Sequence, residues 1–348
     1  MPEKIPKSEE LEFKDKFVER YSKLTEIDKF KEYSLSFLRR SIRVNTLKIS
    51  VNELRERLSK DWNLEQIPWC KEGFWIEHKG EEKENKEGNI ELVKRRDIGN
   101  ITEHMLGYFY VQEAASMIPP IVLDLKADKP NEQDVKGEIV LDMCASPGSK
   151  TTQIGMYMEN KGILISNDYK PDRIKPLSVN IQRCGMSNCI VTLMFGQGFK
   201  KIGSNVFDRV LVDAPCSGTG TIRKSLKTLR IWNPEMVRRL ANQQKQLIET
   251  GFNLLKPGGT LVYSTCTLEP EEDEGVISWL LDKYNGKNSE YKAEIEQIKL
   301  NDLNGLKRSK PIMEFESVKF NSGVKNCLRI WPQDNDTEGF FVAKIRKV

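Results

Sequence analysis

Two cysteines, about fifty residues apart, each follow an apolar segment of this chain. Cys216 comes shortly after the apolar run at residues 207–211, and Cys266 comes two residues after the run at residues 259–264. Apolar runs of this length are typical of buried strands, and the carboxyl ends of parallel strands form the ligand-binding edge of an open sheet. Because a thiolate is a strong nucleophile, two thiols together with Asp213 predict a site for covalent catalysis.

These groups suit the methylation of carbon 5 of cytosine, which a sulfonium cannot methylate directly. Attack of a thiolate on carbon 6 makes carbon 5 nucleophilic, and a carboxylic acid near N3 would stabilise the charge that builds there. A base must then remove the proton from carbon 5 so that the cysteine can leave. Cysteines at the ends of apolar strands are usually part of the core. The chemistry alone leaves open which thiol attacks, since DNA cytosine methyltransferases attack through a Pro-Cys cysteine and Pro215-Cys216 has that form.

A turn of small residues follows an earlier predicted strand, at residues 138–144. Small residues let a ligand approach the backbone, and the amino end of the following helix, with Lys150, offers positive potential. A carboxylate such as that of a methionine moiety would suit this turn, although an ordinary tight turn is the alternative. The predicted cofactor contacts in the turn are Cys144, Ala145, Ser146, Pro147, Gly148, Ser149 and Lys150.

Polar residues also follow the next two predicted strands. Asp168 ends one of them, with Arg173 a few residues on, and an acid at this place commonly accepts hydrogen bonds from ribose hydroxyls. Gln197 follows the other strand and could bond an adenine amino group. A helix cap at Asp168 and a plain loop at Gln197 are the alternatives. With Asp213, these residues complete the predicted site for an adenosine-containing cofactor.

A basic segment at residues 223–232 begins just after the Cys216 loop. Positive charge follows phosphates and an aromatic side chain can stack on a base, although a charge run is also typical of a solvated surface. We predict RNA contacts both in this segment and in an N-terminal unit, through Arg43, Asn45, Arg223, Lys224, Lys227, Arg230 and Trp232.

The elements that must position these residues form two predicted domains. Strands and helices alternate from residue 138 onward, which predicts an α/β, Rossmann-like, doubly wound sheet within a catalytic domain at residues 106–348. Residues 41–105 read as strand-helix-strand-strand, a small α+β domain of the RNA-recognition (RRM-like) type or a lid on the catalytic domain. Residues 1–40 are predicted to be a helical extension, and residues 284–326 a peripheral insertion.

Finer elements are also predicted at four places. Ser50 and Glu53 have the spacing of a capping box, and Asn233-Pro234 the pattern of a helix start. Residues 79–90 are predicted to be a solvated loop, and residues 128–137 a polar linker.

Composition narrows the class of protein. The 348 residues carry a formal net charge of +4 and are 38% hydrophobic, which fits a soluble globular protein. No apolar run is long enough to span a membrane, and the charged N-terminus is unlike a signal peptide, so we expect a cytoplasmic protein with free thiols. Seven cysteines without C-x-x-C spacing and only two histidines predict no metal and argue against a Ser-His-Asp mechanism.

The chain resembles the NOL1/NOP2/Sun family of RNA cytosine-5 methyltransferases, of the archaeal type that acts on tRNA or rRNA. The resemblance covers most of the chain and is carried by the motifs at residues 43–47, 112–116, 142–152, 213–220, 263–274, 329–332 and 339–341. It implies a class I methyltransferase fold with S-adenosylmethionine as methyl donor. Gln197 stands where the family usually has an aspartate, and this departure concerns the adenine contact.

The resemblance also implies roles for single residues. Cys266 would be the nucleophile, and Cys216 would assist release of the methylated RNA. Asp213 would contact the cytosine, Lys150 would lie near the methionine end of the cofactor or the base, and Asp168 would hold the ribose. We expect a monomer that acts on RNA, with tRNA favoured over rRNA. The alternatives are a catalytically idle RNA-binding assembly factor on the same fold and a methyltransferase acting on a small molecule or a protein.

Overall fold

A mixed sheet, parallel at its centre and antiparallel at one edge, forms the core of the protein in a computed structural model. The structure describes residues 2–6, 8, 11–84, 90–93, 97–125, 137–287, 289–299 and 303–348. Within them the strands of this sheet are β7 (Ile139–Asp142), β8 (Ile163–Asp168), β9 (Cys189–Leu193), β10 (Phe207–Asp213), β11 (Leu255–Thr265), β12 (Ala293–Glu296), β15 (Leu328–Ile330) and β16 (Phe340–Lys347).

The order of these strands creates a ligand crevice. It runs β9-β8-β7-β10-β11-β16-β12, and β15 also pairs with β16. The strands from β9 to β11 are parallel, whereas β16 is antiparallel to β11. Because the chain reverses direction of winding between β7 and β10, the crevice opens at the carboxyl ends of these two strands. The predicted Rossmann-like fold is confirmed.

Helices and small strands complete the catalytic domain: α5 (Ile118–Val122), α6 (Ser149–Tyr157), α7 (Pro171–Cys184), α8 (Lys227–Ile231), α9 (Pro234–Leu254), α10 (Glu274–Tyr284), β13 (Glu314–Phe315), β14 (Val318–Lys319) and α11 (Pro332–Asn335). The long helix α9 begins as its sequence predicts. The Asn233 side chain accepts a hydrogen bond from the Met236 amide at 2.8 Å, and Pro234 is the first helical residue.

The small domain is a second sheet covered by one helix. Its elements are β1 (Ser41–Val44), α3 (Val51–Leu58), β2 (Trp62–Gln66), β3 (Gly73–His78), β4 (Glu81–Glu84), β5 (Ile90–Val93), α4 (Thr102–Met105) and β6 (Phe109–Val111). The sheet order is β2-β3-β1-β6, with all pairs antiparallel. Ser50 caps α3 by accepting the Glu53 amide at 3.2 Å. Because β6 pairs with β1, the predicted boundary after residue 105 is wrong, and the small sheet extends to Val111.

Two further predictions need correction. The expected loop at residues 79–90 contains strand β4 and the first residue of β5, which pair as a hairpin, although residues 85–89 lie outside the described residues. The expected peripheral insertion supplies β12, which pairs with β16 and buries Ala293 and Ile295 in the core. It is therefore in part an edge of the main sheet. The predicted linker at residues 128–137 lies almost wholly outside the described residues.

The N-terminal extension packs on the catalytic domain through α1 (Asp15–Tyr21) and α2 (Ile27–Ser34). Phe17, Tyr21 and Phe30 form one aromatic cluster with Trp232 and Trp331. Because of these contacts, the N-terminal extension shares a hydrophobic cluster with the catalytic domain. Among the described residues, the structure contains no helix with the length and apolar character needed to cross a membrane.

Candidate active site

A cleft of about 500 Å³ opens at the carboxyl ends of β7, β10 and β11. The turn after β7 forms one side and the N-terminal unit another. Residues from three predicted groups line it, together with several not predicted to be site residues: Tyr110, Val111, Gln112, Glu113, Ser116, Asp142, Cys144, Ala145, Ser146, Pro147, Ser149, Lys150, Asp213, Ala214, Thr221, Lys224, Ser225, Cys266, Glu338 and Phe340. Cys266 lines the cleft, whereas Cys216 lies behind it.

The two thiols lie against each other. β10 and β11 are parallel neighbours with Asp213 opposite Ser264, so the chain leaves both strands at the same level. As a result the Sγ atoms of Cys216 and Cys266 are 3.3 Å apart. The hydrogen bond to Cys266, burial and the charge of Cys266 raise the pKa of the Cys216 thiol well above its ordinary value. At neutral pH the Cys216 thiol therefore keeps its proton.

Buried hydrogen bonds hold the two cysteine loops together. The Glu272 carboxylate accepts the Ser217 amide at 3.0 Å and the Gln244 side-chain amide at 2.7 Å. The hydroxyls of Ser217 and Thr267 are 2.7 Å apart. The two Ser217 bonds join the loop after β10 to the loop after β11, and the Gln244 bond joins the loop after β11 to α9, so the separation of the thiols is set by the packed core.

Asp213 and Lys150 form an ion pair inside the cleft. Lys150 Nζ donates to Asp213 Oδ2 at 2.7 Å, and Ser264 Oγ donates to Asp213 Oδ1 at 2.7 Å. Burial lowers the pKa of Lys150, but the Asp213 carboxylate and its hydrogen bond raise it more, so the net shift is upward. Asp213 therefore acts as an acceptor on both oxygens, and the proton donor of the pair is Lys150. The Lys150 ammonium also lies 5.3 Å from the centre of the Phe340 ring.

The turn after β7 fits S-adenosylmethionine. Gly148 has a φ of 106°, which favours glycine, and a Cβ there would approach Leu177 to 3.2 Å. Asp142 is fully buried at the base of the cleft; Thr151 donates to its Oδ2 at 2.7 Å, while its Oδ1 has no hydrogen-bond partner. A buried acceptor left unpaired at this place fits the ammonium group of a methionine moiety, and the amino end of α6 fits its carboxylate.

Four predicted cofactor residues do not line the cleft: Gly148, within the turn itself, and Asp168, Arg173 and Gln197. The Asp168 carboxylate accepts the Ser146 amide at 3.3 Å and lies 3.4 Å from the Arg173 guanidinium, so both residues border the turn through Ser146. Gln197 is partly exposed in the 3-10 turn Gly196–Ile202. The ribose and adenine contacts remain predictions.

The structure contradicts the RNA contacts predicted for Arg43 and Asn45, because both are buried between the domains. Arg43 donates to the Ser149 carbonyl at 2.8 Å and to the Thr152 hydroxyl at 2.9 Å. Asn45 donates to two backbone carbonyls, one of them that of Cys184 at 2.8 Å. These side chains attach the small domain to α6 and α7.

It likewise contradicts the contacts predicted for Arg223 and Trp232. The Arg223 guanidinium pairs with Asp336 at 2.8 Å and donates to the Ser36 hydroxyl at 3.0 Å. The Trp232 indole donates to Glu269 Oε1 at 2.8 Å within the aromatic cluster. Neither side chain is available to RNA, whereas the other three basic residues of the segment, Lys224, Lys227 and Arg230, are exposed.

Several residues of the cleft were not predicted as site residues, and four of them carry a charge or a ring of use to the chemistry: Asp142, Glu113, Phe340 and Glu338. Asp142 and Glu113 occur in motifs that carry the family resemblance, and so does Phe340, so the signal existed without a role attached. Glu338 had no signal in the sequence. No group of three or more His, Cys, Asp or Glu side chains in the described ranges is arranged to hold a metal ion.

Asp142→Asn is expected to stabilise the protein above pH 7. Burial raises the pKa of the Asp142 carboxyl to about 7, against a hydrogen bond from Thr151 that lowers it. The folded state therefore keeps a proton that the unfolded chain releases, and stability is lost as the pH rises from about 4 to about 7. We expect a gain of about 1–3 kcal/mol at pH 8 and almost none at pH 4, from urea unfolding. An equal gain at both values would contradict this account.

Comparisons with known proteins agree with this geometry. The sequence model of the family described as 16S rRNA methyltransferase RsmB/F matches residues 129–346, and that of the N-terminal domain of 16S rRNA methyltransferase RsmF matches residues 13–114. The tRNA (cytosine(49)-C(5))-methyltransferase of Pyrococcus abyssi is 44% identical over 335 residues, which are 95% of this chain and 96% of that relative.

Two further similarities extend the comparison. Ribosomal RNA small subunit methyltransferase F of Klebsiella pneumoniae is 42% identical over 89% of this chain, which spans only 57% of that relative's length. The crystal structure of a methyltransferase homolog protein from Pyrococcus horikoshii superposes with a TM-score of 0.78 and 32% identity, covering 99% of this chain and 100% of the other. The predicted family is thus confirmed: the chain belongs to the RsmB/F family of methyltransferases.

Proposed function

We propose that this enzyme methylates carbon 5 of cytosine in RNA, with tRNA as its substrate, through a covalent adduct on Cys266. The observation that carries the proposal is the arrangement of the thiols: Cys266 lines the cleft, and Cys216 lies 3.3 Å behind its sulfur. A nucleophile must face the substrate, whereas a proton-bearing assistant need only reach the nucleophile.

The cleft residues divide the work of this reaction between them. S-adenosylmethionine supplies the methyl group when it is bound. Cys266 attacks carbon 6 of the base, and the Lys150 ammonium, held by Asp213, stabilises the negative charge that develops at N3. The Asp213 carboxylate, already an acceptor on both oxygens, accepts from the exocyclic amino group of cytosine. Phe340, next to Lys150, offers an apolar face for the ring.

Cys216 serves product release in this proposal. Its thiol keeps its proton at neutral pH, 3.3 Å from the sulfur that must leave the base. After methyl transfer, water takes the proton of carbon 5 as the bond between carbon 6 and the Cys266 sulfur breaks. A neutral Cys216 thiol at this distance donates a hydrogen bond to the departing Cys266 thiolate, which lowers the barrier for its elimination.

The length and identity of the relatives support tRNA over rRNA. The Pyrococcus abyssi relative, named as a tRNA methyltransferase, matches this chain along nearly its whole length, whereas the RsmF relatives are much longer. An rRNA cytosine-5 methyltransferase is the second candidate, since RsmF relatives are 41–43% identical. We further propose a cytoplasmic monomer, because the cleft is complete within one chain and RNA is its substrate.

Bisulfite sequencing of total RNA from strains with and without the gene tests this proposal. We expect one or more tRNA cytosines to lose their methylation in the deletion strain and to regain it when the gene is returned. A site lost from small-subunit rRNA instead would favour the second candidate. Unchanged methylation of all RNA cytosines would contradict cytosine-5 methylation by this enzyme.

The exposed part of the basic segment should bind RNA phosphates. Replacing Lys227 and Arg230 together by alanine is expected to weaken binding of a tRNA transcript by about tenfold near 0.1 M salt. It should also lower the slope of log affinity against log salt by about 2, since each phosphate contact contributes roughly one unit. Filter binding across a salt series measures both quantities. Lys161→Ala, at the amino ends of the parallel strands and away from the cleft, is the matched control. An unchanged slope in the double variant would contradict the prediction.

A further inference from the structure

A buried carboxylate, that of Glu338, lines the cleft beyond the nucleophile. The residue is 3% exposed, and its Oε1 atom makes no hydrogen bond within the protein. The Lys224 ammonium lies 3.4 Å from this atom as an ion pair, so the buried carboxylate keeps capacity to accept a hydrogen bond from a ligand. The roles assigned above to Cys266, Cys216, Asp213 and Lys150 do not use this group.

Backbone packing sets the position of Glu338 relative to Cys266. The Gly220 amide donates to the Cys266 carbonyl at 3.0 Å, and the Gly339 amide donates to the Gly220 carbonyl at 2.9 Å. A Cβ at Gly220 would lie 2.3 Å from the Gly339 carbonyl oxygen, so only glycine permits this approach. Glu338 is therefore one residue from a backbone contact that continues to the nucleophile, and Phe340 lies on the other side of Gly339.

Lys224 marks the outer end of the same side of the cleft. Its ammonium is 3.4 Å from Glu338 Oε1, and its side chain is 65% exposed. The carboxylates of Glu338 and Glu113 and the thiol of Cys266 all raise the pKa of Lys224, with Glu338 the largest cause. The ammonium thus faces both the solvent at the mouth and the charged groups within.

Glu113 contacts the backbone of Glu338 from inside the protein. It accepts the Glu338 amide at 3.1 Å and the Ser116 amide at 3.0 Å. Burial and the charge of Glu338 raise the pKa of Glu113 to about 8. At neutral pH Glu113 is therefore largely protonated.

The order of the protein groups along this side of the cleft matches the order of phosphate, ribose and base in a nucleotide. Lys224 at the mouth suits a phosphate, Cys266 inside attacks the base, and Glu338 lies between them, where the ribose must pass. A carboxylate there repels a phosphate, and the base edge is already served by Asp213 and Lys150 on another wall. We propose that Glu338 accepts a hydrogen bond from the 2′-hydroxyl of the target cytidine and so makes the enzyme select RNA over DNA. This inference rests on the proposed function, and the 2′-hydroxyl is the group that distinguishes RNA from DNA at a single site.

Two substrates differing in one oxygen atom test the proposal. One is an RNA carrying the target cytidine, and the other is the same RNA with 2′-deoxycytidine at that position alone. We expect the wild-type enzyme to methylate the deoxy substrate with kcat/KM about 10- to 100-fold lower, because a buried acceptor then loses its hydrogen bond to the substrate. In Glu338→Ala the two substrates should differ by less than about twofold. Glu338→Gln, which keeps the shape and one acceptor, should keep part of the discrimination.

Controls separate this role from a structural one. Glu19→Ala, an exposed acid of α1, should discriminate as the wild type does, and a 2′-deoxy nucleotide far from the target should change no rate. A lower rate of Glu338→Ala on both substrates with the discrimination kept would overturn the inference, as would equal wild-type rates on the two. If the wild type methylated neither RNA, both the proposed function and this inference would be overturned. That result differs from equal rates on the two substrates, which would overturn the inference alone.

Discussion

Replacing Cys266 by alanine is expected to lower the rate of methyl transfer to tRNA by at least about 10³-fold and to leave no covalent enzyme–RNA complex. Losing the thiol that is proposed to attack carbon 6 removes the step that activates carbon 5, and nucleophile losses of this kind are typically large. Transfer of a labelled methyl group to a tRNA transcript measures the rate, and a denaturing gel measures the complex.

Cys216→Ala should have the opposite effect on the covalent enzyme–RNA complex. Attack by Cys266 is still possible, but the thiol that holds a proton 3.3 Å from the leaving sulfur is gone. We expect the covalent RNA complex to accumulate and turnover to stop after about one cycle. Cys189→Ala, on the distant strand β9, is the matched control and should keep wild-type turnover. If the complex accumulated in Cys266→Ala and not in Cys216→Ala, the two assignments would have to be exchanged.

The position of both thiols was predictable because apolar runs show where buried strands end. Val210 to Val212 and Leu261 to Tyr263 are fully buried neighbours in the sheet, and the residues that follow them necessarily share one edge. The glycine turn after β7 was predictable for the same reason. Local signals were reliable too, since the caps at Ser50 and Asn233 depend on residues three positions away.

The basic residues show where such reasoning stops. A charge in the sequence does not reveal its burial, because the partners that permit burial are distant along the chain. Arg43 bonds Thr152, and Arg223 bonds Asp336, more than a hundred residues away in each case. The exposure of Lys227 could not be distinguished from the burial of Arg223 without the fold.

Glu338 and the hairpin β4–β5 escaped prediction for a related reason. Both depend on backbone contacts, which leave no pattern of side chains. Glu338 is positioned by the glycine-to-glycine contact between Gly220 and Gly339, and the strand Glu81–Glu84 is entirely charged, without alternating apolar residues.

Arg329→Met is expected to lower the free energy of unfolding by about 3–5 kcal/mol at pH 7.5. Arg329 is fully buried and pairs with Asp273 at 2.9 Å and with Glu274 at 2.6 Å. It also donates to the Leu268 carbonyl at 3.1 Å, which ties it to the segment that follows Cys266. Methionine fills similar volume but leaves two buried carboxylates without their cation, and breaking a buried pair in this way costs about that amount.

The pH dependence of this loss separates charge from packing. Burial raises the pKa of Asp273, and the Arg329 charge opposes that rise. Without the arginine the folded pKa increases further, so the folded carboxyl keeps its proton to a higher pH. The loss in free energy of unfolding caused by this carboxyl is therefore complete above that pKa and becomes smaller as the pH falls below it. Urea unfolding at pH 7.5 and pH 5 should show the smaller loss at pH 5, whereas lost packing would give equal losses.

Two comparisons complete the test of Arg329. Arg57→Met breaks an exposed pair with Glu53 and should cost less than about 0.5 kcal/mol. Adding Asp273→Asn and Glu274→Gln to Arg329→Met removes the orphaned charges and should restore much of the stability. A loss below about 1 kcal/mol at pH 7.5 with an unchanged denaturant slope would contradict the prediction. It would mean that the loop after Cys266 is held by its hydroxyl and backbone contacts, such as Ser217 to Thr267, without help from the buried arginine.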